Sequence, residues 1–151
     1  MELAPPEIVE GAVCTDVSES EIQDILDNTV PQMLEILKAN EGKGLAAPQV
    51  GIMKNFFIML TGDKEYKVFF NPKYYAVGSR TQTQEACLTY GKDNYKVCKR
   101  FKSVQAHYDD VVDGKFQHVK VNIKGYDSFA FQHESDHVGN GPGQKGKTIF
   151  M

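Results

Sequence analysis

Gln132-His133-Glu134-Ser135-Asp136-His137 is the stretch from which the rest of the chain is read. On an α-helix four residues advance the direction by about 400°, so His133 and His137 leave nearly the same face one turn apart. Two imidazoles so placed can grip one divalent ion. Glu134 lies about 100° round from His133 and can hold a water on that ion. The pattern H-E-x-x-H therefore points to a metal-assisted hydrolysis, with Glu134 using the metal's water to cleave an amide. The plainer alternative is a pair of surface histidines on a charged helix. Catalytic metal sites normally take three protein ligands and leave one position open. Cys87 is the candidate third ligand, provided its strand lies against this helix. His107 and His118 fall in expected strands and read as solvent-facing or core side chains.

Working outward, a helix starting near Asp127 carries this motif and stops at Gly139-Asn140-Gly141-Pro142-Gly143, with a short tail Gln144–Met151 after it. Upstream the grammar is that of strands. Phe56–Leu60 and Tyr66–Phe70 flank the turn signal Thr61-Gly62-Asp63. Val104–Tyr108 and Phe116–Ile123 flank Asp113-Gly114, a frequent hairpin pair. An earlier helix opens at the capping box Ser18-Glu19-Ser20-Glu21, and Ile22, Ile25, Leu26, Met33, Leu34 and Leu37 recur behind it at helical spacing. Pro31 should kink or divide that helix, and Gly42 should end it as its C-cap. Residues 1–17 read as an extended arm. With no repeat and no linker, 1–151 is expected to be a single α+β domain of mainly antiparallel sheets.

The composition narrows the classes of function. A chain of 151 residues with 41% hydrophobic and 25% charged residues can bury a real core and is not disordered. A formal net charge of -3 without a readable basic face argues against nucleic-acid recognition. No apolar run is long enough for a membrane helix, and the acidic start at Glu2, Glu7 and Glu10 is unlike a leader, so a cytoplasmic location is expected. Three widely spaced cysteines, Cys14, Cys87 and Cys98, do not suit a disulfide framework. Cys14 and Cys98 read as ordinary buried or partly buried thiols.

Gly42-Lys43-Gly44-Leu45-Ala46-Ala47-Pro48-Gln49-Val50-Gly51 resembles the first signature of the peptide deformylases, G-x-G-L-A-A-x-Q-x-G, at every fixed position. Glu85-Ala86-Cys87-Leu88-Thr89 resembles the second, E-G-C-L-S, with Ala86 for Gly and Thr89 for Ser. Gln132–His137 resembles the third, Q-H-E-x-D-H, in full. Three signatures in the family's order, with weaker similarity at Asn71-Pro72 and Tyr108-Asp109, extend the resemblance over nearly the whole chain. It implies sheets packed around a central helix bearing the H-E-x-x-H motif, and removal of the formyl group from the N-terminal formylmethionine of nascent polypeptides. It also implies one divalent metal ion on Cys87, His133 and His137, with iron(II) the usual occupant and zinc, nickel or cobalt able to replace it. Glu134 takes the place of the catalytic carboxylate, and the Gln49 side chain with the Leu88 backbone N–H takes that of the oxyanion donors.

On that resemblance Gly42 and Gly44 let a peptide backbone approach, although Gly42 also reads as a helix cap. Tyr126, Phe129 and Ala130 are candidate walls for the methionine side chain, with a plain core role for Phe129 as the alternative. Asp136 is expected either to orient a ligand or pair with Arg100, or to be an exposed helix carboxylate. Glu85 is expected to pair with a basic residue and position the Cys87 strand. Ala86 is the departure that bears on substrate choice, because a methyl group stands where the family has none. The tail leaves no room for the longer C-terminal helix with which many bacterial relatives dock at the ribosome. The chain is similar in this to compact viral versions, and a monomer is expected whose ribosome association is weaker or uses another surface. The rival readings are a metallopeptidase cutting internal bonds, an inactive or retargeted relative that binds peptides or deacylates another N-acyl substrate, and a metal-storage or structural metal protein.

Overall fold

The computed structural model describes residues 1–139. The expectations for the tail Gln144–Met151, for a C-terminal helix beyond it and for most of the glycine-rich stop fall outside the described residues. The described chain begins with a one-turn helix, α1 (Pro6–Val9), where an extended arm is expected; Pro6 sits in the first helical turn, where the missing N–H costs nothing. Thr15 then bridges Lys54.

The next helical run is divided. A 3-10 turn (Glu19–Glu21) opens it, with the Glu21 carboxylate accepting from the Ser18 N–H at 3.0 Å. There follow α2 (Ile22–Asp24), a π turn (Ile25–Thr29) and α3 (Val30–Ala39). Pro31 has no N–H to give to the Asp27 carbonyl, and the turn before it widens so that the Val30 N–H reaches the Ile25 oxygen instead. The end of α3 differs from the expected Gly42 cap. Glu41 takes the left-handed conformation (φ 53), and Gly42 is the next residue, its N–H donating to the Leu37 carbonyl at 2.9 Å. That is a Schellman ending with glutamate in the position usually held by glycine.

Seven strands follow among the described residues: β1 (Gly44–Ala46), β2 (Phe56–Leu60), β3 (Tyr66–Ala76), β4 (Arg80–Cys87), β5 (Gly91–Phe101), β6 (Ser103–Val112) and β7 (Lys115–Lys124). They form a sheet of order β1-β2-β3-β6-β7 and a separate β4-β5 pair, with every pairing antiparallel. Helix α4 (Gly125–His137) closes the described fold. It starts two residues ahead of the expected Asp127, through Gly125 at φ 66. The architecture is α+β, with antiparallel sheets around α4.

Strand β2, Phe-Phe-Ile-Met-Leu, is apolar along its whole length because both faces of the sheet are covered. Phe56, Ile58 and Phe70 pack against Met33 and Leu37 of α3. Phe57, Met59 and Phe69 face the other way, against Phe131 of α4, with Tyr74 and Tyr108 beside them. Each fully buried ring contributes about 1.5–3 kcal/mol. Two cores on opposite faces thus clamp β2, and β1 alongside it is carried to the flank of α4.

Candidate metal and hydrolytic centre

Helix α4 is unusual for a buried helix in the chemistry it buries. Ser128, Gln132, His133, Glu134, Ser135, Asp136 and His137 are all buried. Burying so many polar groups is tolerable only when they find partners, and most of those partners sit on the β4-β5 hairpin. Gln132 grips β5 at one residue: its Nε2 donates to the Phe101 carbonyl at 2.7 Å and its Oε1 accepts the Phe101 N–H at 2.8 Å.

Glu85 and Cys87 are two residues apart on β4 and so share one face. Lys96 stands opposite Glu85, which puts Arg100 of β5 on that face as well. Arg100 is 2% exposed and fork-bonds Glu85, with Nη2 to Oε1 at 2.8 Å and Nε to Oε2 at 3.0 Å. Its Nη1 reaches Asp136 Oδ2 at 2.6 Å, and the Tyr74 hydroxyl donates to Asp136 Oδ1 at 2.8 Å. Burial works against a charged Glu85, but donation from His133 and Arg100 outweighs it and holds the carboxyl well below the usual range. At Asp136 burial prevails over the same guanidinium and pushes the carboxyl up.

Past Glu85 the ladder slips from Glu85↔Lys96 to Cys87↔Gly91, and a 3-10 turn (Leu88–Tyr90) closes the hairpin. Cys87 ends β4 against α4, with its Sγ 3.3 Å from His137 Nε2. Ligand atoms of Cys87, His133 and His137 all lie within 4.8 Å of one another. Glu85 Oε1 sits 2.6 Å from His133 Nδ1. A carboxylate can only accept there, so the Nε2 lone pair of His133 is left for a metal. Glu134 is buried beside them, and its Oε1 has no hydrogen-bond partner among the described residues. Burial, partly offset by His133, pushes its carboxyl up to about 7. A thiolate with two imidazoles suits a borderline divalent cation, and the orphaned Glu134 oxygen is where a ligated water would supply the missing donor.

Gln49 is fixed over the cluster. Its Oε1 accepts the Ala46 N–H at 2.9 Å, and its Nε2 points to Thr89 Oγ1 at 3.0 Å and Cys87 Sγ at 3.4 Å. Leu88 opens the 3-10 turn, where the first N–H has no acceptor within the turn. A cleft of about 350 Å³ leads to His133, Glu134 and Cys87, and Gly42, Gly44, Ala86, Tyr126, Phe129 and Ala130 all line it. Gly44 does something that its expected role did not include. A Cβ there would stand 2.3 Å from Glu134 Oε2, so the missing side chain is the space the carboxylate occupies. His107 and His118 lie on β6 and β7, outside this cluster.

Sequence reasoning did not identify Tyr74, Thr83, or the cleft residues Gln84 and Tyr95. Thr83 Oγ1 donates to Glu85 Oε2 at 2.5 Å. Tyr74 is 62 residues from its partner Asp136, and no local pattern signals such a contact. Gln132 opens the helical motif, and that position was its one available signal.

A sequence model of the family described as polypeptide deformylase matches residues 6–142. The chain is 32% identical over 120 residues to the peptide deformylase of Thermotoga petrophila, covering 79% of this chain and 70% of that one. Its fold is similar to that of a Synechococcus elongatus peptide deformylase in complex with actinonin, at TM-score 0.81 and 29% identity, covering 98% of this chain and 75% of the other. A probable peptide deformylase from the Synechococcus phage S-SSM7 shares the fold at TM-score 0.75 and 24% identity, over 98% of this chain and 96% of that one.

Proposed function

The chain belongs to the polypeptide deformylase family, and on that premise we propose how its own residues carry out the reaction. The protein is a metal-dependent hydrolase that removes the formyl group from the N-terminal formylmethionine of newly made polypeptides. The observation that supports the site assignment is the convergence of Cys87, His133 and His137 within 4.8 Å, next to the unpartnered Oε1 of Glu134.

Cys87 Sγ, as thiolate, and one ring nitrogen each from His133 and His137 would hold the ion. A divalent ion so held polarises a carbonyl and lowers the pKa of its water towards about 7. Glu134 would accept the water's proton at its carboxylate and return it to the leaving amine, a role that suits its buried, unpartnered oxygen beside the cluster. The Leu88 N–H and the Gln49 hydrogen now turned to Cys87 donate to the formyl oxygen as charge develops there. Glu85 fixes His133, and Arg100 ties Glu85 to Asp136, so that hairpin and helix keep one geometry. Gly42, Ala86, Tyr126, Phe129 and Ala130 surround the methionine side chain, with the Ala86 methyl narrowing the entry.

The proposal extends to the setting. The resident ion is iron(II), as the family resemblance implies, and the same thiolate and imidazoles can take zinc, nickel or cobalt. Residues 1–151 act as one catalytic domain, as a monomer in the cytosol, on chains emerging from the ribosome. No helix of the described residues is long and apolar enough to cross a membrane.

The test is release of formate from formyl-Met-Ala-Ser by anaerobically prepared protein, with an unformylated peptide as control. Wild type should release formate and leave the unformylated peptide intact. Glu134→Gln should keep its ion and lose activity on the order of a thousandfold. A metal-loaded wild type that releases no formate, or a Glu134→Gln variant as fast as wild type, would overturn the assignment.

A further inference from the structure

His107 and His118 take no part in the reaction, yet they are built into a polar chain of their own. His107 on β6 and His118 on β7 project from the sheet face opposite α4, two pairs apart along a ladder that sets Asp109 against His118. Asn71, at the slip in β3, donates to Asp109 Oδ2 at 3.0 Å. Asp109 Oδ1 lies 3.1 Å from His118 Nδ1, and because a carboxylate only accepts, that nitrogen carries the proton. His107 Nε2 lies 3.0 Å from Gln105 Oε1 and donates to it in the same way. With both rings neutral, the two remaining nitrogens, His118 Nε2 and His107 Nδ1, each carry a lone pair and stand 3.2 Å apart.

Two lone pairs at that distance repel unless a cation lies between them. Two imidazoles on one tetrahedral ion, each about 2.0–2.1 Å from it, stand about 3.4 Å apart nitrogen to nitrogen. The observed pair is therefore already at chelating distance. A shared proton is the other way to satisfy it, and the ammonium groups of Lys73 and Lys120 lie near enough to oppose either cation. What an ion has in its favour is two coordinate bonds and the carboxylate of Asp109 behind His118, the arrangement that orients histidine ligands and raises their basicity. The His118 side chain is 55% exposed, so water can complete the coordination.

We propose that His107 and His118 form a second divalent metal site, taking a borderline ion such as nickel or zinc, with Asp109 as the group that fixes the tautomer of His118. It stands apart from the hydrolytic centre and does not depend on the function assigned there.

The experiment starts from holoprotein whose catalytic ligands are filled with nickel and from which free ion has been removed. Further nickel is then titrated calorimetrically at neutral pH. Wild type should take up one more ion per chain. His118→Gln and His107→Gln should each weaken that uptake at least tenfold, and Asp109→Asn by about tenfold. Unchanged formate release by the His118→Gln holoprotein certifies its fold. Absence of a second uptake in wild type, or equal affinity in the histidine variants, would overturn the site.

Discussion

The hairpins β6-β7 and β4-β5 are nearly equal in length and differ in almost everything else. The first runs ten unbroken pairs from Ser103↔Lys124 to Val112↔Lys115 and closes on two residues, Asp113 and Gly114, at φ 53 and 75. Such a turn matches the twist of the strands and sets the register by itself. The second slips its register beside Cys87, closes through a 3-10 turn, and turns Glu85 and Arg100 inward where a strand would normally bury apolar groups. The regular hairpin is held by its own ladder. The irregular one is held by charges that belong half to it and half to α4. The hairpin that brings Cys87 to the candidate metal cluster has given up local self-sufficiency for attachment to the helix that carries His133 and His137.

The sharpest way to break this contrast is Arg100→Met. It leaves Glu85 and Asp136 buried without the guanidinium between them, and a loss of about 3–5 kcal/mol is expected in urea unfolding. Unchanged stability would mean that the hairpin does not depend on the ion network.

Gly44→Ala should come next. Its Cβ would fall 2.3 Å from Glu134 Oε2, and displacing that carboxylate should lower kcat about a hundredfold while the circular dichroism stays native.

Gly114→Ala, in the self-sufficient hairpin, should cost about 1–2 kcal/mol for a left-handed alanine at φ 75 and leave kcat alone. A fall in kcat there would show the two hairpins to be coupled.

The smallest effect is a pH slope. Glu85 is held below its ordinary value of 4.5 in the folded state, so the unfolded chain binds the extra proton. Its contribution is fully present above about pH 4.5 and drains away as pH falls towards the folded value. Wild type should therefore lose stability below that pH more steeply than Glu85→Gln, as read from melting temperatures across the acid range.

The same contrast governs what could be read from sequence. β2 and the β6-β7 turn are legible because their signals are local, an apolar run and an Asp-Gly pair. Helix α4 is legible because its ligands recur at one turn's spacing. The short α1 is not legible, since a single turn after Pro5-Pro6 has no periodicity to detect. Gly42 reads as the helix cap because glycine is the usual occupant there, and only the actual path shows that Glu41 is the residue that turns. In the site, a basic partner is the expectation for Glu85 and one of two for Asp136, the other being an exposed helix carboxylate. That a single Arg100 serves both depends on strand register and on Tyr74, 62 residues from Asp136, which no window of sequence contains.

Because two ligands come from α4 and the third from the end of β4, whatever binds all three also ties helix to hairpin. An ion that binds the folded chain and not the unfolded one raises its stability by about 4 kcal/mol when present at a thousand times its dissociation constant. On the proposed ligand set the metal would thus be a fastener as well as a reagent, and a chelator should act on the protein as a mild denaturant.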